Sequence, residues 1–334
     1  MSIFAGKTIL ITGGTGSFGT ALIEKMLPTD IKEIRVLSRD EKKQDDMRNR
    51  YKSGKLKFYI GDVRDYQSIE AAFIHVDLVF HAAALKQVPS CEFFPLEAMK
   101  TNVVGSNNVI DACLTHKVPK AMFLSTDKAV MPINTLGLTK GLMEKNIIAR
   151  SRQLLPGQTV LSIARYGNVM GTRGSVIPLF IEQIKSKQAL TVTNPDMTRF
   201  MMSIDDALDL VFLTYEKAEQ GDIFVHKAPA ATLDTIAKAL LQAYESKVPI
   251  RYIGVRHGEK THEALLTPEE MLRAVDCGHY FRIPSDKRDL NYDLYYSGNA
   301  ESKPLPAAFT STNTKQLDVA ETIETLRKAG LLER

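Results

Sequence analysis

The run Thr12-Gly13-Gly14-Thr15-Gly16-Ser17-Phe18-Gly19 constrains this chain more than any other stretch. It follows an apolar segment, Lys7–Thr12, and opens a helical pattern from about Ser17 to Leu27. Gly13, Gly16 and Gly19 stand three residues apart. Glycine lets a backbone turn sharply from strand into helix and come close to a bound group. The helix start then offers free N–H donors and the positive end of the helix dipole. A strand, such a turn and a helix at the head of a chain read as the dinucleotide pyrophosphate site of a doubly wound sheet.

The rest of the first half keeps that rhythm. Glu33–Ser38, Lys55–Ile60, Leu78–His81, Lys120–Ser125 and Val160–Ala164 are short apolar runs separated by helical patterns. Runs apolar on both faces are the mark of a buried parallel sheet. The expected fold class is α/β, a Rossmann-type doubly wound parallel sheet with a smaller C-terminal substrate lobe. After Gly167, prolines such as Pro178, Pro195, Pro229 and Pro249 break the chain into shorter pieces. The stretch Ser203–Ala218 reads as a helix returning to the main sheet. The expected division is therefore 1–167 with about 203–226 as the cofactor domain, about 168–202 and 227–296 as the lobe, and 297–334 as a tail with a final helix.

The glycine turn gives Gly13, Thr15, Gly16, Ser17, Phe18 and Gly19 as cofactor contacts. The second strand ends Leu37-Ser38-Arg39, with Lys42-Lys43 following. An acidic residue there would bind the ribose 2′-hydroxyl of NAD, whereas Arg39 suits the 2′-phosphate of NADP. Ser38, Arg39 and Lys42 are thus assigned to NADP, and Asp40 keeps NAD as the alternative. Asp62, in Gly61-Asp62-Val63, is placed toward the adenine amino group with Val63 beside it. Ala82, Ala83 and Ala84 after the fourth strand are small enough for close passage.

Composition limits the other possibilities. Net charge is only +4 with the signs well mixed, which gives no reason to expect nucleic acid or a membrane surface as partner. The three cysteines, Cys91, Cys113 and Cys277, are far apart and read as reduced thiols. No His/Cys cluster or H-E-x-x-H suggests a metal. No apolar run reaches the roughly 18 residues of a membrane span, and no signal peptide precedes the first strand. A cytoplasmic protein is expected.

Read together, the motifs resemble the extended short-chain dehydrogenase/reductases. They are the glycine turn, Gly61–Asp65, His81–Lys86, Thr101-Asn102 with Gly105, Leu124–Ala129 and Arg165–Val169, in that order. Ser38–Gln44, Ala84–Pro89, Ser125–Ala129, Met197–Phe200 and His257–Lys260 are similar to the inverting UDP-N-acetylglucosamine 4,6-dehydratases. Arg288-Asp289-Leu290-Asn291-Tyr292 resembles their capsular-polysaccharide branch, the dehydratase/epimerases of the UDP-N-acetyl-L-fucosamine pathway. The resemblance covers nearly the whole chain.

That resemblance implies an NADP-dependent lyase acting on UDP-N-acetylglucosamine, with possible 3- or 5-epimerase character. Hydride leaves sugar C4 for a tightly held, recycled cofactor, the resulting ketone acidifies C5–H, water is lost from C6, hydride returns to C6, and C5 is reprotonated from the opposite face. It gives Asp127 as the acid toward the C6 oxygen and Lys128 as the base at C5. Such a base must be uncharged, and Lys140 and the oxidised nicotinamide are the expected sources of positive charge to make it so. It also gives Lys140, Asn102, Tyr166 and Asn168 as cofactor contacts. Lys86, Thr126, Asn168, Arg199, His257 and Glu259 become substrate contacts. A homo-oligomer, in related enzymes a hexamer, is implied as well.

The pattern departs from the superfamily at one place. The usual Tyr-x-x-x-Lys is here Leu136-Gly137-Leu138-Thr139-Lys140, and leucine transfers no proton. The capsular branch tends to carry methionine there. The base for the C4 hydroxyl is then open among the Asp127–Lys128 pair, which is preferred, a water held by Ser125 or Thr126, and Lys86. Two alternatives stay on the table: a UDP-sugar epimerase or reductase without dehydration, and a non-catalytic NADP-binding protein.

Overall fold

The structure, a computed structural model, describes residues 3–172, 174–255, 257–286 and 304–332. The segment Arg288–Tyr292 and residues 297–303 of the expected tail lie outside them. Six strands follow the expected rhythm: β1 (Thr8–Thr12), β2 (Glu33–Ser38), β3 (Leu56–Ile60), β4 (Leu78–His81), β5 (Lys120–Thr126) and β6 (Val160–Tyr166). Short strands follow: β7 (Leu190–Val192), β8 (Thr198–Phe200), β9 (Ile223–His226), β10 (Ala230–Thr232), β11 (Ile250–Tyr252), β12 (Ala264–Leu266), β13 (Val275–Asp276), β14 (Tyr280–Ile283) and β15 (Phe309–Thr310).

A nine-stranded sheet has the order β13-β14-β9-β6-β5-β4-β1-β2-β3. From β9 to β3 every pairing is parallel. Chain order reverses between β1 and β4, which are direct neighbours. The connections that leave these two strands therefore run to opposite sides, and a crevice opens at their carboxyl ends. Every residue of β1 and β4 is buried, which explains their apolar runs Ile9-Leu10-Ile11 and Leu78-Val79-Phe80. Phe80 and Phe123 are wholly buried, and each contributes about 1.5–3 kcal/mol by leaving water.

The helix Ile204–Lys217 packs on β6 and β9, where the return to the main sheet was expected. Ser203 starts it with a capping box, its hydroxyl accepting from Asp206 N while the Asp206 carboxylate accepts from Ser203 N. A second apolar cluster lies apart from the main core. It joins Phe180, Leu190, Met197 and Ile236 with Leu317 and Leu326.

Three expectations need correction. β13 and β14 extend the main sheet on the antiparallel side of β9, although 227–296 was assigned to the lobe. The described part of the tail is not separate either, because the helix Val319–Lys328 packs on the helix Leu233–Ala243 inside the second cluster. In both cases apolar side chains bury against whatever neighbour completes a core, and linear order does not reveal which one. β6 also runs on to Tyr166, past the expected end at Ala164.

Arg165 is the reason a charge sits inside β6. Its side chain is 3% exposed and its guanidinium forks onto Glu144 at 2.6 and 3.0 Å and onto Glu270 at 2.8 Å through both terminal nitrogens. Arg165 therefore faces away from the crevice that its neighbour Tyr166 lines. Replacing it (Arg165→Met) leaves two carboxylates buried side by side, so a loss of about 3–5 kcal/mol is expected in urea unfolding at pH 7. An unchanged midpoint would show that the trio contributes nothing net.

Candidate functional site

A cleft of about 1400 Å³ runs along the carboxyl ends of the parallel strands and under the second cluster. Its first half is built by the glycine turn. Gly13 has φ +67°, and a Cβ there would lie 2.7 Å from Ala83 N, so only glycine allows β1 to turn this close to the chain leaving β4. Gly16 caps the helix α1 (Ser17–Met26) without any side-chain hydrogen bond, and no acidic residue occupies its first turn. The N–H groups at that end are thus left to an anion. These residues fit the pyrophosphate of a dinucleotide.

Arg39 opens onto the same cleft with its side chain about half exposed, and it makes a long 3.4 Å ion-pair contact to Asp62. Asp40 is otherwise engaged. It caps the helix α2 (Glu41–Tyr51) by accepting from Lys43 N at 3.0 Å, and pairs with Lys43 Nζ at 2.6 Å. Those hydrogen bonds hold its carboxyl below the usual range. Asp62 is taken up by Arg64, whose Nε and Nη2 donate to it at 2.8 and 2.6 Å. Burial works against that charge, and the Arg64 hydrogen bonds still bring the net shift downward.

The cleft takes in the predicted site residues with two exceptions. Lys42 turns out to solvent and pairs with Asp46 at 3.0 Å, so Lys43 is the lysine at the cleft. On a helix, neighbours i and i+1 point about 100° apart, which is why only one of the two faces in. Asn102 is fully buried but does not line the cleft. Its side chain accepts from Leu85 N at 2.9 Å and donates to Leu85 O at 3.0 Å and Thr139 Oγ1 at 3.0 Å. It staples the loop after β4 to the helix Thr135–Arg152, and so shapes the cleft wall without touching its contents.

The second half of the cleft holds the proton-active groups. β5 ends at Thr126, and the next residues, Asp127–Ala129, form one tight turn. Asp127 is 0% exposed; its Oδ1 accepts from Thr126 Oγ1 at 2.8 Å and from Lys128 Nζ at 3.0 Å. Lys128 Nζ also lies 3.3 Å from Glu263 Oε1, a carboxylate that is 3% exposed. Lys140, 6% exposed, donates to Leu124 O at 2.7 Å and to Met143 Sδ at 3.2 Å.

This arrangement reverses one expectation. Lys128 is a clamped cation as the chain stands. Burial pulls its pKa down, but the charges of Asp127 and Glu263 and the Asp127 hydrogen bond outweigh that, and the net shift is upward. Lys140, in contrast, is depressed. Burial brings it down to about 8, against a weaker opposing pull from Glu144. Glu263 was not singled out in the sequence. It sits 135 residues from Lys128 and three beyond Lys260, and no spacing rule links those positions.

Leu136 presents an apolar surface to the cleft and packs with Cys91 and Ala98. Arg199 also opens onto the cleft, its Nη1 anchored on Thr198 O at 2.9 Å. Five buried polar atoms along the cleft have no partner among the described residues: Ser125 Oγ, Asp127 Oδ2, Asn168 Oδ1, Glu259 Oε2 and Glu263 Oε2. Buried polar groups are normally paired, so a cluster of unpaired ones marks where a polar ligand would complete them. Among the described residues no group of acidic, His or Cys side chains could hold a metal, and no helix is long and apolar enough to cross a membrane.

Comparison with known proteins agrees with this geometry. A UDP-glucose 4-epimerase of Rickettsia prowazekii is 56% identical over 328 residues, covering 97% of this chain and 96% of that protein. One of Rickettsia bellii is 55% identical over the same length. The X-ray structure of Pen from Bacillus thuringiensis is 34% identical, with a TM-score of 0.88, over 98% of this chain and 100% of that one. DesIV, a dTDP-glucose 4,6-dehydratase of Streptomyces venezuelae with NAD and TYD bound, shares the fold (TM-score 0.69, 19% identity, 76% of this chain and 86% of that one). Residues 9–285 match the family described as polysaccharide biosynthesis protein, and residues 286–331 match the corresponding C-terminal family. The chain belongs to that family, within the extended short-chain dehydrogenase/reductases.

Proposed function

We propose that the chain is a nucleotide-sugar 4,6-dehydratase that inverts C5, acting on UDP-N-acetylglucosamine with NADP as recycled cofactor. The observation that carries this reading is the pair of buried Asp127 and partly buried Lys128, 3.0 Å apart at the carboxyl end of β5. Eliminating water across C5 and C6 needs a base at carbon and an acid at oxygen side by side. Simple inversion at C4 needs no acid at C6. The 4-epimerase names of the Rickettsia relatives speak for nucleotide-sugar chemistry in general, and favour C4 epimerisation as the second reading.

The dinucleotide supplies a hydride acceptor for C4 and a hydride donor for C6. The chain's own residues do the rest. The glycine turn and the start of α1 bind the pyrophosphate. Arg39 meets the 2′-phosphate, and Asp40, already held by Lys43, is poorly placed to serve a 2′-hydroxyl. Asp127 gives a proton to the C6 oxygen, and Lys128 takes one from C5. Lys140 orients the nicotinamide ribose, and Arg199 and Glu259 meet the nucleotide. The Asp127–Lys128 pair also takes the C4 hydroxyl proton that a tyrosine would take, since Leu136 has none to exchange, and releases it to solvent before Lys128 takes the C5 proton. Self-association belongs to the same reading, because Phe93, Phe94 and Leu96, at the junction of two short helices, are 83%, 63% and 65% exposed.

Proton NMR in deuterated water with UDP-N-acetylglucosamine tests the reaction. Dehydration predicts a new 6-deoxy methyl signal together with deuterium at C5, and Lys128→Ala should lose both while still binding cofactor. A new C4 isomer with neither change would favour epimerisation, and no change at all with tight cofactor binding would overturn both. The cofactor is tested by titration: Arg39→Ala should weaken NADP binding tenfold or more and leave NAD nearly unchanged. Equal losses for the two would remove Arg39 from the choice.

A further inference from the structure

Glu263 has no role in the chemistry described so far, yet it is among the most constrained side chains in the cleft. Its backbone is held from both sides by one residue: Glu263 N donates to Ser311 Oγ at 2.9 Å, and Ser311 N donates to Glu263 O at 2.8 Å. Ser311 is 0% exposed and is itself tied to Thr198 Oγ1 at 2.6 Å. The carboxylate thus arrives on a rigid mount from the second half of the chain. One oxygen faces Lys128 Nζ at 3.3 Å, and the other is buried in the cleft without a partner. Burying a carboxylate beside a second buried carboxylate is costly unless a cation joins them, and Lys128 is that cation.

We propose that Glu263 is a positioning residue for Lys128: it is the second of two buried carboxylates that hold the amine in the cleft and set how readily it gives up its proton. The groups facing that amine are Asp127 in its own turn, Glu263 beside β12, Arg199 on β8, and Lys260 from the loop before Glu263. Lys140, on the helix packed against the turn, is directed at Leu124 O. Arg199 and Lys260 favour the neutral amine, whereas Asp127 and Glu263 favour the ammonium.

The consequence for acid–base chemistry is specific. Moving one proton from Lys128 Nζ to Asp127 Oδ1 turns an ammonium and a carboxylate into an amine and a carboxylic acid. The total charge of the trio is unchanged. That exchange creates a base and an acid side by side, the pair an elimination requires. Glu263 opposes the exchange while its charge faces the ammonium, so it keeps the pair in the salt-bridged form until bound substrate alters the balance. This last step rests on the dehydratase reading; the hold of Glu263 on Lys128 does not.

The test measures the amine directly. Wild type, Glu263→Gln and Glu263→Asp are acetylated with a trace of acetic anhydride at pH 8, and the rate at Lys128 is read by peptide mass spectrometry. Only a neutral amine reacts, so removing one facing charge should speed labelling tenfold or more in Glu263→Gln. Glu263→Asp, one methylene shorter, loosens the packing more than Glu263→Gln but keeps the charge, and should stay within about threefold of wild type. Equal rates in Glu263→Gln and wild type would overturn the proposal, as would equal acceleration in both variants, since that reports access alone. Circular dichroism confirms that each variant is folded. Deuterium uptake at C5 of UDP-N-acetylglucosamine, followed against pH in the same proteins, separates the two claims. An acid limb displaced to lower pH in Glu263→Gln supports both. The predicted labelling pattern in a protein that never exchanges C5 leaves Glu263 in place and overturns the dehydratase reading.

Discussion

The reversal of strand order between β1 and β4 is the constraint on which the rest of the molecule depends. Because the chain departs from these neighbours in opposite directions, nothing from the main sheet covers their carboxyl ends. Gly13 and Ala83 then close to a separation that excludes even a methyl group. That contact fixes where a dinucleotide's pyrophosphate would lie. It thereby fixes which strand ends lie further along the cleft, and β5 with Asp127 and Lys128 is the one that matters most.

The charged groups around that point fall into two kinds. Arg165, Glu144 and Glu270 form a closed trio in which the guanidinium meets both carboxylates through paired hydrogen bonds. Such a trio holds β6 to the segment around Leu265 and has little left over for a ligand. Lys128, Asp127 and Glu263 form an open trio. Each carboxylate keeps one buried oxygen unpartnered, and the trio lines the cleft. The same residue types give structure in the first case and reactive potential in the second, and the difference lies in which hydrogen bonds are left unmade.

The parallel strands were legible in the sequence because burial on both faces leaves an apolar run, as in Leu78–Phe80. The glycine turn was legible because its spacing has a backbone cause. The charged continuation of β6 was not, because Arg165 looks like the end of a strand until Glu144 and Glu270 are seen beside it. β14 joined the main sheet unforeseen, since a strand of four residues carries no pattern that names its neighbours. Lys42 and Lys43 were indistinguishable until α2 fixed which of them faces the cleft. Glu263 was missed for the most general reason. Its partner is far away in sequence, and only tertiary structure puts a carboxylate from one half of the chain against an amine from the other.

The claim at the centre of this account is that the Lys128 amine meets the sugar ring. A crystal structure with UDP-N-acetylglucosamine and NADP bound measures this directly. The account predicts Lys128 Nζ within about 3–3.5 Å of the hexose C5, with Asp127 beside the C6 oxygen. A hexose bound with that amine turned away from the ring, or with C6 far from Asp127, would contradict it.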